Sequence, residues 1–493
     1  MNRPVSQAVR PLRSPYQVRL AGPEMSSSMV SRRTLLATGA SAAVVAGTDI
    51  LLRGATPALA VPPYGGYVMG YFTESPSSLA DNYGLHLAVS TDGLHWTPLN
   101  QNNPVVTPTA GTGGLRDPFI MRKQDDTFVV LATDLNGKDF TQQNQYIHIW
   151  DSPDLLSFTG YRRVRMHTMP THTWAPEAFW DSSRGQYGIL YSARSGNRDA
   201  FYVNYTTDFR TVSAHQLYFD PGFDVLDATM HVGSGMNYLY YKSFTDGRLY
   251  GARSGSLAPR SFDRGTYTSG VVNGGIEAPI VVKANDRDEW FLWGDSFSPN
   301  NGELYVWRSG DINSNSWTPL GKERYTQPLN AKHPTIAPIT TAEQAAMLSR
   351  WGAPAWNRIK SYNFPDHLIR HANYAVRIDP YPFDPYADAQ WRLRPGLANS
   401  SGVSFESVNY PGQYLRHSNY VLGLAANDGS AVFAGDATFY RTAGLADSGW
   451  SSFRSHNFSD YYIRHASYVL RIDPLSNSSS AADRADATFQ IGY

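Results

Sequence analysis

Between Gly66 and about Thr340 the apolar residues come in short runs rather than at helical spacing. Tyr67-Val68-Met69-Gly70-Tyr71-Phe72, Phe128-Val129-Val130-Leu131-Ala132 and Tyr238-Leu239-Tyr240-Tyr241 have strand length. They are rich in aromatic and β-branched residues and bounded by Gly, Asn and Asp. A 3.6-residue period first appears at Thr341–Arg350, where Thr340 or Thr341 offers an N-cap and Glu343 follows closely. Strand-like runs then resume. The pattern predicts an all-β chain cut once by a helix.

Two repeats run through the first part. Leu115-Arg116-Asp117-Pro118-Phe119-Ile120 returns in degenerate form around Glu177, Asp227, Glu277 and His333, at steps of 60, 50, 50 and 56 residues. Each copy sets one ionisable residue among small, apolar or proline residues just ahead of a strand. A turn of the form Asp-x-Leu-x-x-aromatic recurs in phase, at Asp92–Trp96 and Asp154–Phe158 and more weakly at Asp208, Ser256 and Asp311. A unit of about 50 residues built from short strands is the sequence form of a propeller blade. Five blades would bring four carboxylates and one histidine to a single axis. Beyond the helix the repeat changes: Arg370-His371, Arg416-His417 and Arg464-His465 recur, each followed by an aspartate, Asp388, Asp436 or Asp486. Three β-rich repeats of nearly equal length point to a β-trefoil. A His-Asp pair in each repeat suits hydrogen bonding of sugar hydroxyls, or else pins the repeat internally.

Composition narrows the function. The 493 residues exceed what one core usually serves, which agrees with two domains. Lys and Arg number 42 against 42 Asp and Glu, so no basic excess exists to neutralise phosphates, and nucleic acid is not the expected partner. No cysteine is present, which excludes disulfides and thiolate metal sites. Ser31-Arg32-Arg33-Thr34-Leu35-Leu36, a small apolar run and Ala58-Leu59-Ala60 read as a twin-arginine export segment. Asp49 and Arg53 break the apolar run before it could span a bilayer, so no membrane anchor is expected. The expected layout is a removed segment at 1–60, a propeller at 61–340, a helical linker at 341–355 and a trefoil at 356–493. The expected product is a secreted monomer.

Arg116-Asp117-Pro118, Trp174-Ala175-Pro176-Glu177, Leu226-Asp227-Ala228-Thr229, Ile276-Glu277-Ala278-Pro279 and the late His333 resemble glycoside hydrolase family 43. Pro411-Gly412-Gln413-Tyr414-Leu415-Arg416-His417 with Asp436-Ala437-Thr438-Phe439 is similar to the arabinofuranose-binding trefoil of carbohydrate-binding module family 42. The resemblance implies an inverting five-bladed propeller hydrolase, with Asp117 as general base, Asp227 as the carboxylate that tunes and orients the acid, and Glu277 as the acid. The apolar neighbours of Glu277 and an anionic Asp227 would favour its protonated form. Trp174 is a candidate sugar platform or a buried blade tryptophan, and Glu177 a structural or substrate-orienting carboxylate. His333 is either a hydrogen-bonded core histidine or a residue near a structural calcium ion on the axis. No cofactor is expected for catalysis.

In the trefoil, His417 with Asp436 and His465 with Asp486 match the sugar-binding pattern. The first repeat departs from it through Asp388-Ala389-Gln390-Trp391 and a proline-rich insertion, Pro380–Pro385. Ala278 and Pro334 depart too, since the family commonly has glycine at both positions. The expected activity is release of terminal α-L-arabinofuranose from arabinose-containing plant polysaccharide, arabinan or arabinoxylan. A β-D-xylosidase or β-D-galactofuranosidase on the same scaffold, or a non-catalytic carbohydrate-binding protein, are the alternatives.

Overall fold

The computed structural model describes residues 64–268, 275–297 and 302–493. The expected export segment, including Ser31–Leu36 and Ala58–Ala60, lies outside the described residues. Five four-stranded antiparallel sheets form a propeller, and the twelve strands that follow in the chain pair into one further sheet. The inner strands of blades 2 to 5 are Leu115–Arg122, Trp174–Asp181, Val225–Val232 and Ile276–Lys283. Blade 1 closes the ring. Its inner strand, Ala331–Thr340, comes from the far end of the domain and pairs with Tyr64–Thr73 from the near end.

The apolar runs are near-continuous because both faces of each blade are covered. In blade 2, Phe128 and Val130 pack toward blade 1 with Val68 and Phe72, whereas Val129 and Leu131 pack toward blade 3 with Ile189 and Tyr191. The same alternation sends Leu239 and Tyr241 to blade 3 and Tyr238 and Tyr240 to blade 5. A fifth cluster, with Tyr67, Met69, Phe291 and Trp293, joins blade 5 back to blade 1. The phased turn repeat closes each blade between its third and fourth strands. Asp92, Asp154 and Asp208 each accept two backbone N–H groups there, and Asp311 and Ser256 accept one each.

Two short helices, Ala431–Asp436 and Ala481–Asp486, form in the C-terminal domain. The expected helix is Thr341–Trp351, with Thr340 as N-cap in a capping box with Glu343. It is not a free tether. Met347 is fully buried in the core shared by blades 1 and 2, and Glu343 pairs with Arg122 at 2.7 Å.

The C-terminal domain contains three repeats of four strands around one core, to which Ile369, Leu415, Ile463, Phe405, Phe453 and Phe489 contribute. Its proline-rich insertion docks on the propeller. The Tyr381 hydroxyl accepts the N–H of Asn330 at 2.6 Å and donates to Asn330 Oδ1 at 3.0 Å. The Asp384 carboxylate accepts the N–H of Ser77 at 2.7 Å and the Ser77 hydroxyl. The insertion that departs from the trefoil pattern is one part of the seam between the domains; Lys360 Nζ also donates to Lys322 O and Tyr325 O, both at 2.7 Å, and Arg358 donates to Gln327 O.

Candidate active site

Every inner strand carries a bulge at one level, where the register with its neighbour slips. The bulged residues are Asp117, Ala175, Asp227, Ala278 and His333, all with φ between +42° and +54°. Four of them precede a proline: Pro118, Pro176, Pro279 and Pro334. Proline suits a position that has left the ladder, because it has no N–H to contribute. Pro334 is therefore the rule in this propeller. The residue at Ala278 sits in the left-handed region that glycine tolerates best.

The bulges also fix the register of the five sequence copies. Asp117, Asp227 and His333 occupy the bulge itself, whereas Glu277 lies one residue before it and Glu177 two residues after. Amides released from the ladder are taken by side chains. Ala175 N–H donates to Thr133 Oγ1 at 2.8 Å, Ala278 N–H to Asp227 Oδ2 at 3.1 Å, and His333 N–H to Asp295 Oδ2 at 2.8 Å.

A cleft of about 830 Å³ opens over the axis, and Asp117, Asp227, Glu277, His333 and Trp174 line it. His333 Nδ1 lies 2.9 Å from Asp117 Oδ1, and Thr133 donates its hydroxyl to Asp117 Oδ2 at 2.7 Å. Burial by itself raises the Asp117 carboxyl, but His333, Arg116 and Thr133 together outweigh it and hold it well below the usual carboxylate range. Burial lowers His333, yet Asp117 and Asp227 carry it up to about 9, so it is an imidazolium at neutral pH. Burial raises Asp227 to about 6, with Glu277 and Asp117 adding to the rise and His333 and the Ala278 amide opposing it. Arg116 does not pair with its neighbour Asp117. It forms a buried ion pair with Glu74 and bonds Gly137 O at 3.1 Å, so its charge reaches Asp117 only through space.

Glu177, expected among the sugar-contacting residues, does not line the cleft. It is buried, accepts the Met230 N–H across the blade 3–4 boundary at 3.3 Å, and burial raises it to about 8. Its carboxyl thus bridges two blades, and burial favours its protonated form. Trp174 is half-buried with one face against His172, the ring centroids 3.7 Å apart, and its edge against Phe140. Calcium needs six to eight oxygen donors. His333 is committed to Asp117 as a cation, and the described residues contain no group of three or more His, Asp or Glu that could hold a metal. The residues around His333 do not fit an axial calcium ion.

Residues that carried no signal in sequence complete the site. Phe140, Phe244 and Phe297 stand on the cleft wall at 43%, 65% and 60% exposure, where open aromatic faces suit sugar rings. Lys332 Nζ lies 3.1 Å from Glu277 and 2.8 Å from the buried Asp295. Lys242 donates to Gly247 O at 2.7 Å and to Ile276 O.

The trefoil repeats one polar cluster three times. Arg370, Arg416 and Arg464 each donate to the aspartate of their own repeat, Asp388, Asp436 and Asp486, at 2.6–2.8 Å. The other carboxylate oxygen of each aspartate accepts from Asn409, Asn457 or Asn363 of an adjacent repeat at 2.7–2.8 Å. His371, His417 and His465 lie 3.4–3.7 Å from these aspartates. The pairing therefore pins repeats to one another, and His417 and His465 are lowered by burial and stay neutral. The first repeat keeps the whole set despite its changed wording.

Residues 62–345 match the model of a family-43-related "probable glycosyl hydrolase domain", and residues 357–491 match the alpha-L-arabinofuranosidase B (ABFB) domain. An alpha-L-arabinofuranosidase of Bifidobacterium longum subsp. longum is 28% identical over 222 residues, 39% of this chain and 20% of that protein. An extracellular exo-alpha-(1->5)-L-arabinofuranosidase of Streptomyces avermitilis is 50% identical over 133 residues, 27% of each. The matched segments thus span about a fifth and a quarter of these relatives. Among solved structures, a family-43 beta-1,3-galactosidase aligns over 88% of this chain and 89% of its own, at 11% identity and a TM-score of 0.42.

Proposed function

The chain belongs to the glycoside hydrolase 43-related family, and from that premise we propose that it releases terminal α-L-arabinofuranose from arabinan or arabinoxylan with inversion. The observation that carries the mechanism is that two carboxylates with different partners, Asp117 beside His333 and Glu277 beside Lys332, line one cleft. Asp117 is held ionised by an imidazolium 2.9 Å away, as a general base must be. Glu277 serves as the acid that protonates the leaving oxygen, with Asp227 beside it. In an inverting hydrolase the base deprotonates water on one face of the sugar while the acid acts on the other. The catalytic unit is residues 61–340. The trefoil, 356–493, holds the enzyme on arabinose-decorated polymer and so raises its effective concentration at the substrate. The N-terminal segment directs export.

A panel of 4-nitrophenyl glycosides tests the glycone. Hydrolysis of the α-L-arabinofuranoside well ahead of the β-D-xyloside and β-D-galactofuranoside is expected. A preference for either of the others would replace the proposed substrate. No turnover of any glycoside, together with retained binding to polymer, would leave a carbohydrate-binding protein.

A further inference from the structure

Lys332 precedes His333 on the inner strand of blade 1, and its side chain is 1% exposed. Its Nζ bridges Glu277 Oε1 at 3.1 Å and Asp295 Oδ1 at 2.8 Å. Asp295 is fully buried on the neighbouring strand of blade 5, and its second oxygen takes the His333 N–H. Burial lowers the Lys332 ammonium, but Asp295 and Glu277 more than compensate and keep it charged. Asp227 and Lys242 on blade 4 also act on Glu277 through space, with opposite signs. One buried cation is thus shared between a carboxylate on the cleft and a carboxylate that substrate cannot reach.

We infer that Lys332 is a positioning residue for the acid step, placed to stabilise the charge that Glu277 acquires as it gives up its proton. The inference rests on the reading of Glu277 as the acid. In that step the Glu277 O–H bond breaks, its proton goes to the glycosidic oxygen, and the O–H electron pair stays on Glu277. The glycosidic C–O bond breaks with its electron pair on the departing oxygen. Water adds to the anomeric carbon and loses its proton to Asp117. Negative charge therefore moves from Asp117 to Glu277 during the reaction. An ammonium already fixed 3.1 Å away meets that charge without reorganisation. Asp295 holds the other side of the same ammonium, at 2.8 Å, and so fixes where it points.

The test compares Lys332→Met, Lys332→Arg and the double variant Lys332→Met with Asp295→Asn on two arabinofuranosides. The double variant removes a buried cation and a buried anion together, so it avoids leaving an unpaired charge in the core. The 2,4-dinitrophenyl glycoside departs without protonation, whereas the phenyl glycoside needs it. Both Met variants are expected to lose about 10- to 100-fold in kcat on the phenyl glycoside and about threefold or less on the dinitrophenyl glycoside. The alkaline limb of the Lys332→Met profile should move up by about one pH unit, because removing the cation makes the acid's proton harder to lose, and by less in the double variant, which loses the Asp295 charge as well. The Arg variant should recover most of the rate. Equal losses on both glycosides, or an alkaline limb that stays in place, would overturn the role of Lys332. Glu277→Gln on the same pair separates the two readings. If that variant also loses equally on both, the acid assignment itself fails, whatever Lys332 does.

Discussion

Replacing His333 by asparagine removes the charge beside Asp117 while leaving an N–H that can still reach it. Asparagine is also the residue other than glycine that best accepts the left-handed backbone at this bulge, where φ is +42°. The attraction removed is large. At 2.9 Å and an effective dielectric constant of about 20, two unit charges attract by about 6 kcal/mol. Desolvation offsets part of that, and removing one partner of a buried pair costs about 3–5 kcal/mol, because the remaining charge is uncompensated. Asp117 can escape the cost by taking up a proton. At about 1.4 kcal/mol per pH unit, its titration should move up by about 2–4 units, out of the range far below normal where His333 holds it. A general base must be ionised, so the acid limb of kcat/KM should move up with it. We expect the variant to lose about tenfold more activity than wild type between pH 7 and pH 4. The loss should be alike on dinitrophenyl and phenyl arabinofuranosides, because every substrate needs an activated water. An acid limb that stays where wild type has it would refute both the pairing and the role of Asp117.

Thermal stability should fall as pH rises from 6 to 9. His333 is raised from 6.5 to about 9, so the stability from its charge is complete below about pH 6.5 and is lost as pH rises through 9. Glu177, raised from 4.5 to about 8, acts with the same sign, since its folded form holds a proton that must leave. Glu177→Gln imitates the neutral carboxyl and should shrink the drop, by about 2–4 °C in Tm per kcal/mol regained; an unchanged pH dependence of Tm would argue against a protonated Glu177. Asp436→Asn combined with Asp486→Asn should cut retention on insoluble arabinoxylan in a pull-down while turnover of a soluble aryl arabinofuranoside falls far less. Full retention would mean that these aspartates only join repeats. Tyr381→Ala with Asp384→Ala should split a single calorimetric unfolding transition into two, since both side chains tie the trefoil to the propeller. A single transition in the variant would show that Arg358 and Lys360 hold the seam without them.

The five blades were legible because each inner strand carries its own local mark: an ionisable or small residue, then, in four of the five, proline, then a strand. What misled was the choice of mark. Aligning the copies on their carboxylates hides an offset, and the backbone aligns instead on the bulged residue ahead of proline. Glu177 therefore sits two positions past its bulge and off the cleft, although its motif looks like the others. The trefoil was legible for the same reason, three local copies of Arg-His and Asp. The partners of those residues were not, because Asn363, Asn409 and Asn457 come from adjacent repeats. Lys332 and Asp295 lie 37 residues apart, and Arg116 and Glu74 lie 42 apart. No local pattern joins such pairs. Phe140, Phe244 and Phe297 stand in or beside loops without periodicity, where an exposed phenylalanine looks like any other until the fold gathers three around one cleft.

The most direct measurement is proton NMR of the sugar released from 4-nitrophenyl α-L-arabinofuranoside, recorded before the product mutarotates. Water activated by Asp117 on the face opposite Glu277 must give β-L-arabinofuranose as the first product. First appearance of the α anomer would require a covalent intermediate and a nucleophile in place of the base, and would contradict the assignment of Asp117 and Glu277.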